Sequence, residues 1–438
     1  MTLVEEVVKH ALKLGADEAH AVLTRSRDFT VEIEVDEISR VSFIVRERLS
    51  VAVIKERRIA AASISEVSRE AALKCVERAY RMALALKPNE HWGGLPEPKP
   101  LPRVPGLYDP KVAELTAEEI VERGKLLLEA AHEVSDKVAV MNASVTCSTS
   151  EVEAASSAGL HAFERHTGFW AMAVTVAREA GQVGSFAYEA DASRSLDVDV
   201  EAVAREAARK ALESLHLKPV PSFKGTLVMD YDFAAMLLSS LAAAYSGYNV
   251  WRGSSPLASK LGEAIASERL TIIDDGTLPG GLRSSSFDGE GSPTMRKVVV
   301  ERGVLRTYLN NTFTARLLGM EPTGNAADLI SVAPSNTIVE PGDMSVEELV
   351  SGVKRGLLVS RFSGMIRFQD GVVSGTAKQA FYIEGGEKKY PVRECMVSCN
   401  LYELLKNISG LSREVRRTPY GVITPVIRAE GVAFVAKS

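Results

Sequence analysis

Apolar residues in the first half of the chain recur with helical spacing at some points and alternate with polar residues at others. Helical spacing predicts four amphipathic helices, at residues 3–14, 68–86, 117–134 and 200–215. Alternation predicts eight strands, at residues 18–25, 29–35, 41–46, 49–54, 58–62, 138–146, 151–158 and 170–177. The order helix, strands, helix therefore occurs twice before residue 216.

The pattern changes near residue 220, where turn residues become frequent. Of the 32 glycines, 23 lie after this point. The pairs Asp275-Gly276, Asp288-Gly289 and Asp370-Gly371 favour tight turns, and Arg302-Gly303 and Gly385-Gly386 separate β-rich runs as hairpin loops do. Helices are predicted between the strands at residues 232–245, 313–318, 345–355 and 399–407.

These patterns predict an α+β fold with two domains. The N-terminal domain, residues 1–215, combines helices with an antiparallel sheet and contains a proline-rich spacer at 88–110. The C-terminal domain, residues 216–438, is β-rich with a few helices, and its strands form either a barrel-like or an open antiparallel sheet.

Charge and composition narrow the class of protein. The net charge of −5 argues against sequence-independent nucleic-acid binding, which needs a basic surface. The first residues have an acidic start and an amphipathic pattern, unlike a signal peptide, and no apolar run approaches 18 residues. We therefore expect a soluble cytoplasmic protein with no nucleic-acid or membrane partner.

The usual catalytic and metal-binding residue types are sparse in the second half. No histidine follows His216, so a histidine-based metal site or triad cannot be built from the C-terminal domain alone. Cys395 and Cys399 lack a second pair or a nearby histidine, which favours reduced, buried thiols over a metal site. His161 and His166 are five residues apart and do not share a helix or strand face.

Polar residues of the segment 253–325 are the best candidates for contacts with a substrate or partner. Two carboxylates within hydrogen-bond range can act as an acid–base pair, but acids beside glycine more often stabilise turns through backbone amides. Turn structure, a binding surface and direct catalysis all remain open for the acids. The candidate substrate or interface residues are Asp274, Asp275, Asp288, Glu290 and Asn325.

Segment 253–325 also carries a family resemblance. The runs GSSPLASKLGEAIAS, LTIIDDGTLPGG and FDGEGSPTMRKVVVERGVLRTYLNNTFTARLLGMEPTGNA follow one another in the order found in the TldD/PmbA family, also labelled modulator of DNA gyrase. The likeness continues through residues 339–359 and 374–392 and includes KLGADEA near the start. It thus covers nearly the whole chain.

The resemblance implies a metallopeptidase of two related subunits that acts on extended or unfolded peptides. Its TldD-type subunit carries an H-E-x-x-x-H helix and a cysteine in a C-terminal loop, which the PmbA/TldE-type subunit lacks. Here the apolar run 233–245 contains no histidine, cysteine or charged residue. In the register set by the shared GSS, the ligand positions fall on Leu238, Ser239 and Ala243, and the loop at 412–426 has no cysteine.

We therefore expect a PmbA/TldE-type subunit without catalytic residues or metal of its own, since catalytic zinc needs about three protein ligands. Zinc is expected only in a TldD-type partner, with which this chain would form a heterodimer that holds an extended peptide. The alternative is a homodimer that binds peptide or another ligand without that partner. A third possibility, an autonomous peptidase, predicts cleavage that resists chelators.

Overall fold

The computed structural model describes residues 1–436. Helices and strands alternate in its first part in the predicted order. The elements there are α1 (Leu3–Lys13), β1 (Glu18–Glu34), β2 (Glu37–Lys55), β3 (Arg58–Ile64), α2 (Arg69–Ala85), α3 (Pro110–Ala113), α4 (Ala117–Val134), β4 (Val138–Ser156), β5 (His161–Glu179), β6 (Gln182–Val183), β7 (Ala187–Ser193) and α5 (Val200–Glu213).

The N-terminal sheet has seven strands in the order β3-β2-β1-β4-β5-β6, with β7 also pairing with β5. Its strands are longer than predicted, because the predicted pairs of short strands are continuous. For example, β1 runs through the polar stretch Arg25–Asp28, whose backbone pairs with β2 and β4 on either side. Backbone pairing does not depend on side-chain polarity, so a polar stretch does not end a strand.

Helices cover one face of this sheet. At one end α1 and α2 bury Val7 and Val76 against Leu23 of β1, and at the other end α4 packs against Val31 of the same strand while α5 packs beside α4 on β5. Leu23 and Val31 lie on the same face because they are an even number of residues apart. On the outer edge of the sheet, β3 pairs only with Leu49–Lys55 of β2.

The second part begins at β8, after α5 ends. Its elements are β8 (Phe223–Met229), α6 (Tyr231–Ala244), α7 (Gly247–Trp251), β9 (Ile272–Asp275), β10 (Arg296–Glu301), β11 (Val304–Leu305), α8 (Thr312–Leu318), β12 (Asn336–Val339), α9 (Val346–Ser351), β13 (Arg355–Ile366), β14 (Val372–Glu384), β15 (Glu387–Val392), β16 (Cys395–Asn400), α10 (Leu401–Lys406), β17 (Ile408–Arg417) and β18 (Val422–Ala436).

Five of these strands close into a barrel. Strands β8, β13, β14, β16 and β18 pair in that order, and β18 pairs back to β8 through contacts such as Ile427 with Met229. Helix α6 packs against β18, β13 and β8 and contributes Leu237, Leu238 and Leu241 to the largest core. The α+β class and the β-rich, barrel-like second part are thus confirmed, while the predicted boundary at residues 215/216 stays a prediction.

The turn pairs had different outcomes. Arg302-Gly303 and Gly385-Gly386 are the two-residue loops of the β10–β11 and β14–β15 hairpins, as predicted. Asp275-Gly276 instead opens a long loop, since β9 pairs with β10 only after residues 276–295. The predicted helix 345–355 ends at Ser351 because the chain enters β13 at Arg355. No helix within residues 1–436 is long and apolar enough to cross a membrane.

Candidate functional site

The acidic residues predicted from the sequence are held by the protein's own bonds. Asp274 at the end of β9 is buried and forms an ion pair with Lys297 of β10 at 2.8 Å. Asn325 donates to the same carboxylate at 3.0 Å, and the Ser335 amide donates to its second oxygen at 2.7 Å. Lys297 in turn donates to the Asn325 side-chain oxygen at 2.8 Å. These bonds give the buried carboxylate the partners that a charge removed from water requires.

Asp288 and Glu290 also bind loop backbone. Asp288 accepts hydrogen bonds from the amides of Glu290, Ser292 and Ala326 at 2.9 to 3.1 Å. Glu290 accepts from the amide and hydroxyl of Thr312 at 2.9 and 2.6 Å. Burial raises the pKa of both carboxyls, and the charge of Glu290 adds to the effect on Asp288. These bonds are those of turn and helix-start stabilisation.

Asp275 has the same kind of role. Its carboxylate accepts from the amide and the hydroxyl of Thr277, both at 2.8 Å, and lies 3.8 Å from Arg296. The structure thus brings Asp274 and Asn325 into contact, and it places Asp275 at the end of β9 and Asp288 and Glu290 in the loop that follows. Every carboxylate of this set accepts hydrogen bonds from neighbouring backbone or hydroxyl groups, so the geometry favours turn structure over a catalytic pair.

The three positions that the resemblance aligns with metal ligands lie on α6. Leu238 is fully buried in the barrel core, whereas Ser239 is exposed and Ala243 is half-buried. Residues 239 and 243 are one helical turn apart and share a face, but Leu238 points elsewhere. A leucine, a serine and an alanine supply neither imidazole nor carboxylate, so these residues do not fit a zinc ion.

Other possible metal ligands are dispersed. His161 and His166 pair separately with Glu153 and Glu164 at 3.0 and 2.9 Å. Burial raises the pKa of Cys395 and of Cys399 to about 11, which keeps both thiols protonated at neutral pH. Nowhere in residues 1–436 do three His, Cys, Asp or Glu side chains converge as a metal site requires.

The open face of α6 lines a cleft of about 460 Å³ between the helix, the barrel and the turn at Tyr420. Its apolar wall is a pair of stacked rings, Phe233 and Phe362, with centroids 4.6 Å apart and planes at 4°. Met236, which is 39% exposed, and Ser239 lie along the helix side. A partly apolar concavity with a few polar groups is typical of small-ligand sites.

Two charged residues of the cleft lack a directly bonded partner. Asp232, in the first turn of α6, and Arg361 on β13 form no hydrogen bond or ion pair within residues 1–436. Burial raises the pKa of Asp232 to about 6, with Lys210 opposing and Asp230 adding to the shift. Burial lowers the pKa of Arg361 against the opposing charge of Glu394, and the Arg361 Nε atom is buried without a hydrogen-bond acceptor. Perturbed charged groups in a cleft mark a candidate functional site.

Two strained or bridging features complete the cleft. Gln379 on β14 has a φ of +49°, which is unusual for a non-glycine residue in a strand and is typical of binding sites. Tyr188 of β7 reaches the cleft from the N-terminal sheet and forms a hydrogen bond with Tyr420. Burial is the main cause of the raised pKa of Tyr188, so this hydroxyl stays protonated and able to donate.

A buried ion cluster fixes Tyr188 in this position. Its neighbour Glu189 is almost fully buried and pairs with Lys210 of α5 at 2.7 Å and with Arg416 of β17. Arg416 also donates to the Ala190 carbonyl at 3.0 Å. Because α5 and β7 precede residue 215 and β17 follows it, the cluster joins both parts of the fold beside the cleft.

Three family models match the chain in sequence order. They are PmbA/TldA metallopeptidase domain 1 at residues 19–83, the central domain at 110–215 and the C-terminal domain at 222–436. The chain belongs to the TldD/PmbA family. Membership makes this protein related to metallopeptidases and confirms the resemblance seen in the sequence.

Individual relatives agree with this assignment. The chain is 25% identical over 426 residues to metalloprotease PmbA of Escherichia coli O157:H7, which covers 94% of this chain and 92% of that protein. It is 37% identical over 224 residues to a metalloprotease of Methanothermobacter thermautotrophicus, and the match spans only 49% of that relative. The crystal structure of TldE from Thermococcus kodakarensis superimposes with a TM-score of 0.92 at 29% identity, covering 99% of this chain and 100% of that one.

The sequence alone did not reveal the cleft on α6, because the two charged residues that line it, Asp232 and Arg361, are far apart in the chain. The acid Asp232 immediately precedes the apolar run that begins at Phe233. A lone acid at the start of an otherwise apolar helix is the local pattern that could have located the cleft. Nothing in the sequence around Arg361 or Gln379 indicates that they face this helix.

Proposed function

We propose that this chain is the non-catalytic, TldE-type subunit of a two-subunit metallopeptidase that acts on extended or unfolded peptides. The observation that supports this most is the open face of α6, where Ser239 and Ala243 offer no metal ligand. The similarity to a TldE structure over the whole chain supports the same role. In this proposal a TldD-type partner supplies zinc and the general base.

The cleft gives such a subunit a part in handling peptides. It is open to solvent, contains unpaired charges and an aromatic wall, and is built on a closed barrel that holds α6 in place. A subunit that only completes the assembly would not need charged residues without partners, which reduce stability. We therefore propose that this chain helps to hold the substrate as well as to order the partner.

Co-expression tests the proposal directly. A tagged copy of the chain is expressed with and without a TldD-type protein from the same source, and eluted complexes are analysed for mass, zinc and cleavage of an unfolded peptide. We expect a heterodimer that contains zinc and cleaves the peptide until a chelator is added. The isolated chain is expected to be free of zinc and inactive.

A stoichiometric zinc ion or peptide turnover in the isolated, pure chain would contradict the proposal. The matched control replaces the TldD-type partner's H-E-x-x-x-H histidines, which must abolish activity without preventing co-elution. Co-elution with loss of activity separates assembly from catalysis, whereas loss of both would indicate that the partner had misfolded.

A second candidate is a homodimeric peptide- or ligand-binding protein that needs no partner. It draws on the same cleft on α6, with Met236 and Tyr420 exposed in its lining, and differs from the first candidate in needing no TldD-type partner. Recovery of self-assembled chains alone under mild conditions, even with a TldD-type protein present, would favour this candidate over the heterodimer.

A further inference from the structure

The cleft on α6 holds two opposite charges apart. Asp232 and Arg361 both line it, yet within residues 1–436 neither forms a hydrogen bond or a close ion pair; the nearest opposite charges are Lys210 for Asp232 and Glu394 for Arg361. Partly buried charges without partners are costly, and in folded proteins such groups are normally satisfied by a neighbour, by water or by a ligand. The arrangement therefore suggests a ligand that carries both charges.

Apart from these charges, most of the cleft lining is apolar. The stacked rings of Phe233 and Phe362 form one wall, and the Met236 side chain lies on the helix side. A ligand that matches the cleft thus has a cationic group, an apolar middle and an anionic group. A purely cationic ligand would leave the guanidinium unsatisfied, and a purely anionic ligand would leave the carboxylate unsatisfied.

Hydrogen-bonding groups lie along the same surface. The Gln379 amide, in its strained backbone conformation, and the hydroxyls of Ser239 and Tyr188 line the cleft with the charges. An amide side chain and hydroxyls can each bond to peptide N–H or C=O groups. This combination matches a peptide better than a lipid or a nucleotide, neither of which pairs a free ammonium with a carboxylate across a short apolar stem.

We propose that the cleft binds a short peptide with both ends free, its ammonium at Asp232 and its carboxylate at Arg361. The guanidinium suits this role because it can hold a carboxylate with two parallel hydrogen bonds. An apolar side chain of the peptide packs on Met236, next to the largely buried Phe233–Phe362 pair. The volume of about 460 Å³ is within the usual range for small-ligand sites.

This inference rests on the proposed function, since short peptides with free ends are the products of peptide hydrolysis. It goes further by assigning the non-catalytic subunit a binding site for such products or for short substrates. Peptide-bond hydrolysis is then the class of reaction that supplies the ligand: water adds across the bond, and one product gains a carboxylate while the other gains an amine.

Calorimetric titration of the full-length chain tests the assignment. The probes are the tripeptide Ala-Leu-Ala, its N-acetyl derivative and its C-terminal amide. We expect the free tripeptide to bind, and each capped form to bind about tenfold or more weakly, because one charge-assisted hydrogen-bonding group is lost. Equal binding of the three peptides, or no binding of any, would overturn the proposal.

Variants then assign each end of the peptide. In Asp232→Asn the chain is expected to bind free and N-acetylated peptide equally while still discriminating against the amide. The Arg361→Gln chain is expected to bind the free peptide and the amide equally while still discriminating against the N-acetylated peptide. Asp343→Asn, which removes an exposed carboxylate away from the cleft, is the matched control and should behave like the unmodified chain. Unchanged discrimination in either cleft variant would refute the assigned orientation.

The peptide series on the unmodified chain decides the proposal even where a variant fails to fold. Repeating the titration on the complex with a TldD-type protein separates the two proposals. Binding that depends on free ends, without co-elution of a partner, would leave the cleft assignment standing and refute the heterodimer. An active heterodimer that binds free and capped peptides equally well would support the heterodimer and refute the cleft assignment.

Discussion

Asp232 is expected to reduce the stability of this protein at neutral pH. Its pKa is about 6 in the folded chain against an ordinary value of 3.8. The folded state therefore favours the protonated acid. The contribution of protonated Asp232 to the free energy of unfolding is complete below pH 3.8 and is lost as the pH rises through 6. At 1.36 kcal/mol for each pKa unit, the ionised carboxylate costs about 3 kcal/mol.

The substitution Asp232→Asn keeps the shape of the side chain and removes its ionisation. We expect it to raise the free energy of unfolding by about 3 kcal/mol at pH 7.5 and by less than about 1 kcal/mol at pH 4. Urea unfolding followed by tryptophan fluorescence at both pH values measures the two differences. A stabilising substitution in a cleft is typical of residues retained for function.

Two results would refute this reasoning. An unchanged unfolding midpoint at pH 7.5 would show that the carboxylate is solvated and that burial does not raise its pKa. An equal gain at pH 4 and pH 7.5 would show that the amide stabilises the fold by a new hydrogen bond. Asp343→Asn, at an exposed position, should leave both midpoints unchanged.

Three other substitutions test buried polar contacts elsewhere in the fold. Lys297→Met leaves the buried Asp274 charge without its ion pair and should cost about 3–5 kcal/mol in urea unfolding, partly restored by adding Asp274→Asn; no loss would contradict a buried pair. Burial lowers the pKa of His20 from 6.5 to about 4. The neutral imidazole therefore contributes fully to the free energy of unfolding above pH 6.5, and about 3 kcal/mol of that free energy is lost by pH 4. His20→Gln should flatten that part of the stability–pH curve, and an unchanged slope would refute the assignment. Arg194 donates to backbone carbonyls of the loop 276–295, so Arg194→Met should speed its cleavage in limited proteolysis while circular dichroism stays unchanged.

Local sequence patterns predicted the elements of the fold well. Amphipathic spacing located α2 and α4 to within two residues at each end, and the Arg302-Gly303 pair marked a true hairpin. These features depend on neighbouring residues, which a sequence displays directly. Strand length was underestimated at Arg25–Asp28, because pairing with β2 and β4 continues where the helices no longer cover the sheet.

Features made by distant residues could not be predicted. Closure of the barrel depends on β18 pairing with β8, and no local pattern specifies a strand's partner. The acids in turns, such as Asp288, were predictable from their glycine neighbours, whereas the ion pair of Asp274 with Lys297 was not. The cleft was missed for the same reason, since only tertiary packing places Asp232 and Arg361 in the lining of one cleft.

The barrel has no free edge, but β2 does, because β3 covers only its end at Leu49–Lys55. The uncovered length exposes Phe43, which is 61% accessible, between Arg40 and Arg46. If two copies of the chain joined antiparallel along this strand with Phe43 at the centre, Arg40 of each would lie opposite Arg46 of the other. Like charges directly opposite each other are destabilising, although ion pairs with Glu32 and Asp28 of β1 partly offset these two charges within each copy. The charged side chains thus protect this exposed strand edge against pairing between identical molecules.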